Sequence, residues 1–120
     1  MAVEATLKGA VRRVIQSFRR YAQAQGWAKG DYRILVETNP DWGRIHVILV
    51  ARDFPGHNLE DGWLSVIDFI DEDLRDEPEL GESINLTLRT FDQVKQGGIY
   101  SLSPEYVDAD DLDDGDVKTT

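Results

Sequence analysis

Leu7, Val11, Val14, Ile15, Phe18, Tyr21 and Ala22 recur at spacings of three and four, which at about 100° per residue gathers them on one face of a helix. Lys8, Arg12, Arg13, Arg19 and Arg20 fall on the other face. The spacing predicts a helix from about Glu4 to about Ala28, with Gly26 and Gly30 bracketing its end. A helix this one-sided must lay its apolar face on a second layer. Its basic face is left for water or for a partner.

The rest of the chain supplies that layer. The stretches "YRILVET" and "RIHVILVARDF" are rich in β-branched and aromatic residues and are separated by "NPDWG", whose residues favour a turn; together they predict an antiparallel hairpin. In the second strand Ile45, Val47, Leu49 and Ala51 alternate with His46, Ile48, Val50 and Arg52. The apolar run Val47 to Val50 leaves little polarity on either side, which predicts a central strand. Phe54 closes this strand, Pro55 and Gly56 turn the chain, and Asn58 or Asp61 is placed to cap a second helix. That helix carries Leu59, Trp63, Val66, Ile67, Ile70 and Leu74, and Phe54 and Leu59 are expected to be buried at the joint.

Pro78 and Gly81 oppose its continuation. A third strand then alternates Ile84, Leu86 and Leu88 with Asn85, Thr87 and Arg89, the pattern of a sheet with one wet face. A short helical turn is expected from Asp92 to Gln96, followed by an extended segment near Ile99 to Leu102. From Asp108 the chain combines dense like charge with almost no apolar content and reads as disordered. The expected fold is α+β: one domain over residues 1–104, in the order α-β-β-α-β. Two helices pack on a three-stranded sheet, and residues 105–120 form an acidic tail.

Charge and composition exclude several classes of function. The chain has no cysteine, which removes disulfides, thiolate metal sites and cysteine nucleophiles. No apolar run approaches the roughly 20 residues needed to cross a bilayer, so a cytoplasmic protein without membrane association is expected. Residues 1–28 are basic and amphipathic, as organellar transit peptides are, and read here as a retained helix. The net charge of −10 conceals a polarity: residues 1–60 hold nine Lys/Arg against six Asp/Glu, and residues 61–120 hold four against seventeen. An acidic protein repels phosphate backbones, so nucleic-acid binding needs a segregated basic face.

Few side chains invite chemistry. His46 lies within a strand and reads as a structural histidine. His57 sits beside Asn58, Glu60 and Asp61, where a general base or a metal ligand is conceivable, but no serine or second histidine accompanies it at a useful spacing. Asp68, Asp71, Glu72 and Asp73 mostly fall away from the apolar stripe, as a solvated helix face would. Gly97-Gly98 lacks the lysine of a phosphate loop, and the aspartates of the tail lack the spacing of a calcium loop. Trp27 and Trp63 occupy core-compatible helix positions, whereas Trp42 stands at the hairpin tip, suited to an interface or to packing on a neighbouring element.

The stretch "VILVARDFPGHNLEDGWLSVIDFIDEDL" resembles, without a gap, the BolA-like domain, a relative of the class II KH fold. Phe54, Gly56, Leu59, Val66, Ile70 and Leu74 occupy its apolar and glycine positions, and "LTLRTFDQV" resembles its last strand and exit. The resemblance covers about Tyr32 to Val94. BolA-like proteins carry an Arg-His pair early in the long helix, whose histidine serves as a ligand to iron-sulfur clusters. Gly62 and Trp63 stand there in this chain, and "NPDWG" has no histidine or cysteine for the second ligand. The resemblance therefore implies a fold and no cofactor.

These readings converge on a non-enzymatic module that binds a protein partner, with Arg12, Arg13, Arg19, Arg20, Trp42 and His57 as candidate contacts. The basic face of the first helix would suit an acidic partner; the acidic second helix and tail would suit a basic one. The alternative is a KH-related nucleic-acid binder using the same four arginines. A metal-dependent or hydrolytic enzyme centred on His57 is the third reading.

Overall fold

A computed structural model describes residues 2–39, 44–54, 58–98 and 106–109; side chains are described for these except 2–8, 38–39, 44 and 59. The first helix, α1, spans Ala2–Ala24. It stops four residues before the expected end, because the chain turns at Gly26, whose φ of 76° suits glycine. The Trp27 N–H there donates to the Ala22 carbonyl at 2.9 Å.

Strands β1 (Tyr32–Asn39) and β2 (Arg44–Ala51) form the expected hairpin, in register from Tyr32 opposite Ala51 to Asn39 opposite Arg44. Helix α2 follows (Leu59–Asp73), and the Asn58 side chain caps it by accepting the Asp61 N–H at 2.9 Å. A short helix α3 (Pro78–Glu82) starts on its proline. It leads into β3 (Ile84–Thr90), which runs parallel to β2 from Ile45 opposite Ile84 to Ala51 opposite Thr90. Helix α4 (Phe91–Gln96) opens on a capping box: the Thr90 hydroxyl accepts the Gln93 N–H, and the Gln93 side chain accepts the Thr90 N–H. Strand β4 (Val107–Asp108) pairs antiparallel with β1.

The class is α+β, as expected, with more parts than the sequence reading gave. Among the described residues the sheet has four strands in the order β3-β2-β1-β4 rather than three; α4 falls where a short helical turn was expected from Asp92 to Gln96, and α3 is a helix that the sequence reading did not include. Strand β2 is central. Val11, Val14, Ile15 and Phe18 of α1, and Val66 and Ile70 of α2 with Leu74 at its C-cap, bury one face of the sheet, formed by Ile34, Val36, Ile45, Val47, Leu49, Ile84 and Leu88.

The opposite face is not left wet. Leu35, Ile48 and Val50 point that way, and Phe91, Val94 and Tyr106 cover them. An apolar row on a central strand needs such a cover, and α4 with the segment before β4 provides it.

The boundary of the tail also moves. Asp108 lies in β4 and pairs with Arg33 at 3.1 Å, and Ala109 is 2% exposed within the main core. The fold therefore extends through residue 109, because a two-residue strand and one buried alanine suffice to tie an acidic segment to the sheet edge. The remainder of the predicted tail lies outside the described residues.

An aromatic group closes the joint between layers. Trp27 meets Tyr21 at 5.6 Å, Tyr32 at 6.0 Å and Phe54 at 5.9 Å between ring centroids, and Tyr21 meets Phe69 at 5.4 Å. Phe54, expected to be buried, is only half-buried here, though it packs on the core. Gly62 is what lets α2 come so close: a Cβ at that position would stand 2.7 Å from the Phe54 Cβ. The Leu59 side chain lies outside the described ones.

Candidate functional site

The basic face of α1 is not free as a whole. Arg20 forks onto Asp73 of α2, its Nε donating to Oδ1 at 3.0 Å and its Nη2 to Oδ2 at 3.0 Å. Arg13 adds Nη1 to Asp73 Oδ2 at 3.4 Å, and its Nη2 donates to the Asp73 main-chain oxygen at 3.1 Å and to Asp76 at 3.4 Å. The Asp73 side chain is only 19% exposed. The hydrogen bond from Arg20 holds its carboxyl below the usual carboxylate range, against the opposing effect of burial. Ser17 is fully buried on the same flank, and its hydroxyl meets no hydrogen-bond partner among the described residues.

Two of the four arginines expected to meet a partner thus hold α1 against α2. The reason is angular. Arg13, Ser17 and Arg20 follow one another at three- and four-residue spacing along the flank that faces α2, whereas Arg12 and Arg19 lie about a quarter turn or more away. Asp73 likewise departs from the solvated face assigned to it, since it stands seven residues after Val66 and so shares that residue's side of α2. The Tyr21 hydroxyl completes the interface against Ser65 at 3.0 Å, while burial raises its pKa.

Trp42 and His57 lie outside the described residues. His46 is half-buried on the α4 side of β2, with Glu37 opposite it on β1 and Asn85 opposite it on β3. Among the described residues no three His, Asp or Glu side chains cluster as metal ligands would. No described helix is long and apolar enough to cross a membrane. An open groove of about 590 Å³ separates the first half of α1 from α3, lined by Ala10, Arg13, Gln16, Glu77 and Leu80 among others. Its Arg13 belongs to the internal network just described.

The feature that the sequence reading missed is on the other flank of α2. Trp63, assigned to the core, is 38% exposed, and Leu64 beside it is 47% exposed. The indole is nonetheless fixed: its Nε1–H donates to the Leu86 carbonyl of β3 at 3.1 Å. Ile67, one turn along, is half-buried. For Leu64 the signal was its position well off the buried stripe, but Trp63 stands seven residues before Ile70 and shares its side of the helix, so only the position of the β3 edge beneath it keeps the indole partly outside.

Among the described residues strand β3 is an edge of the sheet, and three of its outward groups are occupied. The Ser83 carbonyl accepts the Ile45 N–H, which turns the odd-numbered residues of β3 toward β2 and the even-numbered ones outward. Of the outward groups, the Leu86 carbonyl accepts Trp63, the Leu88 carbonyl accepts the Arg89 guanidinium at 2.9 Å, and the Thr90 N–H is taken by Gln93. Side chains blunt this edge against a further strand.

No family model, curated protein or solved structure matches the chain. Its functional reading therefore stands on the geometry above.

Proposed function

We propose that the chain is a non-enzymatic protein-interaction module whose partner is another protein. The observation that carries this reading is the exposed but immobilised Trp63 with Leu64 at its side. An aromatic ring held in place before binding loses little freedom on association, and tryptophans in such settings supply a large share of interface energy. The interaction surface is then the α2 flank over β3 rather than the basic face of α1.

The nucleic-acid alternative draws on four arginines, of which Arg13 and Arg20 are engaged with Asp73, and it works against a net charge of −10. A BolA-like ancestry belongs to the same proposal. The succession α1-β1-β2-α2 followed by β3 supports it, with the short α3 inserted before β3.

Affinity capture from the native cell with the full chain and with Leu64→Glu tests the reading. Leu64 is exposed enough that the substitution leaves the fold intact. A protein retained by the parent chain and lost with the variant is the expected result. No specific capture overturns the reading, and a protein captured equally by both overturns the assignment of the surface.

A further inference from the structure

Glu60, Trp63, Leu64, Ile67, Asp68 and Asp71 follow one another along α2 at spacings of three and four or one apart, so they form a single stripe on the flank above β3. Its centre is apolar and its ends are acidic. Helix α2 contains no lysine or arginine. Its other acids are partly accounted for within the fold, Asp73 by Arg13 and Arg20 and Glu72 by Arg75. Glu60, Asp68 and Asp71, in contrast, are not paired with a cation among the described residues.

We infer that the Trp63–Leu64–Ile67 stripe receives an amphipathic helical segment of a partner protein, apolar in its middle and carrying a lysine or arginine near each end. The inference rests on the interaction reading above and adds the chemistry of the partner. At 1.5 Å per residue, Glu60 and Asp71 stand about 16 Å apart along the axis, which calls for basic residues about eleven positions apart on a partner helix of roughly three turns. A charge facing each carboxylate fixes the register, and apolar side chains between them cover the indole and Leu64.

A partner strand added to β3 fits less well. The Leu86 and Leu88 carbonyls and the Thr90 N–H, which a new strand would need, are already bonded to Trp63, Arg89 and Gln93. A second copy of the chain fits less well too, because a two-fold contact through this stripe would bring acidic ends against acidic ends.

Two synthetic helical peptides of about twelve residues test the inference. Both have leucines in the middle; one has lysine near each end and the other glutamate. Binding is followed by backbone amide shifts of the isotope-labelled full chain. The lysine peptide should bind more tightly than the glutamate peptide by about tenfold, with the largest shifts between Glu60 and Asp71. The double variant Glu60→Lys/Asp71→Lys should invert the preference, and Leu64→Glu should weaken both peptides.

Equal binding of the two peptides, a preference that the double variant leaves unchanged, or shifts centred on the β3 amides overturns the inference. If the native capture experiment yields a partner through Leu64 while the peptides behave in any of these ways, the interaction reading stands and the proposed partner chemistry falls. If capture fails, the reading itself falls.

Discussion

The two flanks of α2 are built from similar residues and arrive at opposite states. Toward α1, Asp73 meets two arginines, Ser65 meets Tyr21, and Phe69 stacks edge-on against the Tyr21 ring. Toward solvent, Glu60, Asp68 and Asp71 flank Trp63 and Leu64, with cations placed against none of these carboxylates in the described structure. Acid and aromatic residues stand on both sides. What separates them is whether the neighbouring element brings a complement. The α1 side is spent on holding the fold, and on the β3 side the described elements bring no such complement to the carboxylates.

Substitutions on the two flanks should therefore separate stability from binding. The largest expected loss is at the line where α2 enters the core: Ile70, 1% exposed, when replaced by alanine should cost about 2–5 kcal/mol in chemical denaturation. A cost below about 1 kcal/mol would show that α2 is not seated as described.

Asp73→Asn comes next. It leaves two guanidinium groups without their carboxylate and should cost about 2 kcal/mol. The pH dependence carries a definite sign. Because the folded-state pKa of Asp73 is lowered, its contribution is whole above the unfolded carboxyl value of about 4 and is lost as pH falls through the lower folded value. Denaturation midpoints of the parent and of Asp73→Asn should accordingly converge on acidification. Curves that stay parallel would remove Asp73 as the source.

Gly62→Ala sharpens the comparison at the joint. The added methyl gains helix propensity but lands 2.7 Å from the Phe54 Cβ, and the strain should exceed the gain, leaving a net loss of about 1 kcal/mol. A more stable Gly62→Ala protein would mean that the aromatic joint yields easily. On the outer flank, Leu64→Glu should change the melting temperature least, by the equivalent of less than about 0.5 kcal/mol, while it alone among these variants removes binding without unfolding.

Much of the fold was legible because it is written in short-range periodicity. The apolar stripe of α1, the hairpin with β2 at the centre, the Asn58 cap and the alternation of β3 each depend on residues within a few positions of one another. Local windows also explain the failures. Nothing near Arg13 or Arg20 in the chain announces Asp73, which lies 60 and 53 residues away. The acidic run after Glu105 hides the small apolar surface with which Ala109 joins the core.

By itself the sequence determined α1, β1, β2, α2 and β3 as elements, though not the short α3 between the last two, and the presence of a charge-divided chain, since propensity, capping and amphipathic spacing act within single elements. Tertiary structure alone decided which charges cancel and which hydrophobes stay outside. Arg20 and Arg19 are adjacent and chemically identical, yet only the packing of α2 beside α1 turns one of them onto Asp73. Trp63 and Val66 belong to one helix, yet the position of β3 beneath it anchors the indole at the edge and sends the valine into the core. These outcomes depend on where a second element comes to rest, and that is fixed by the summed packing of the whole domain rather than by any local stretch.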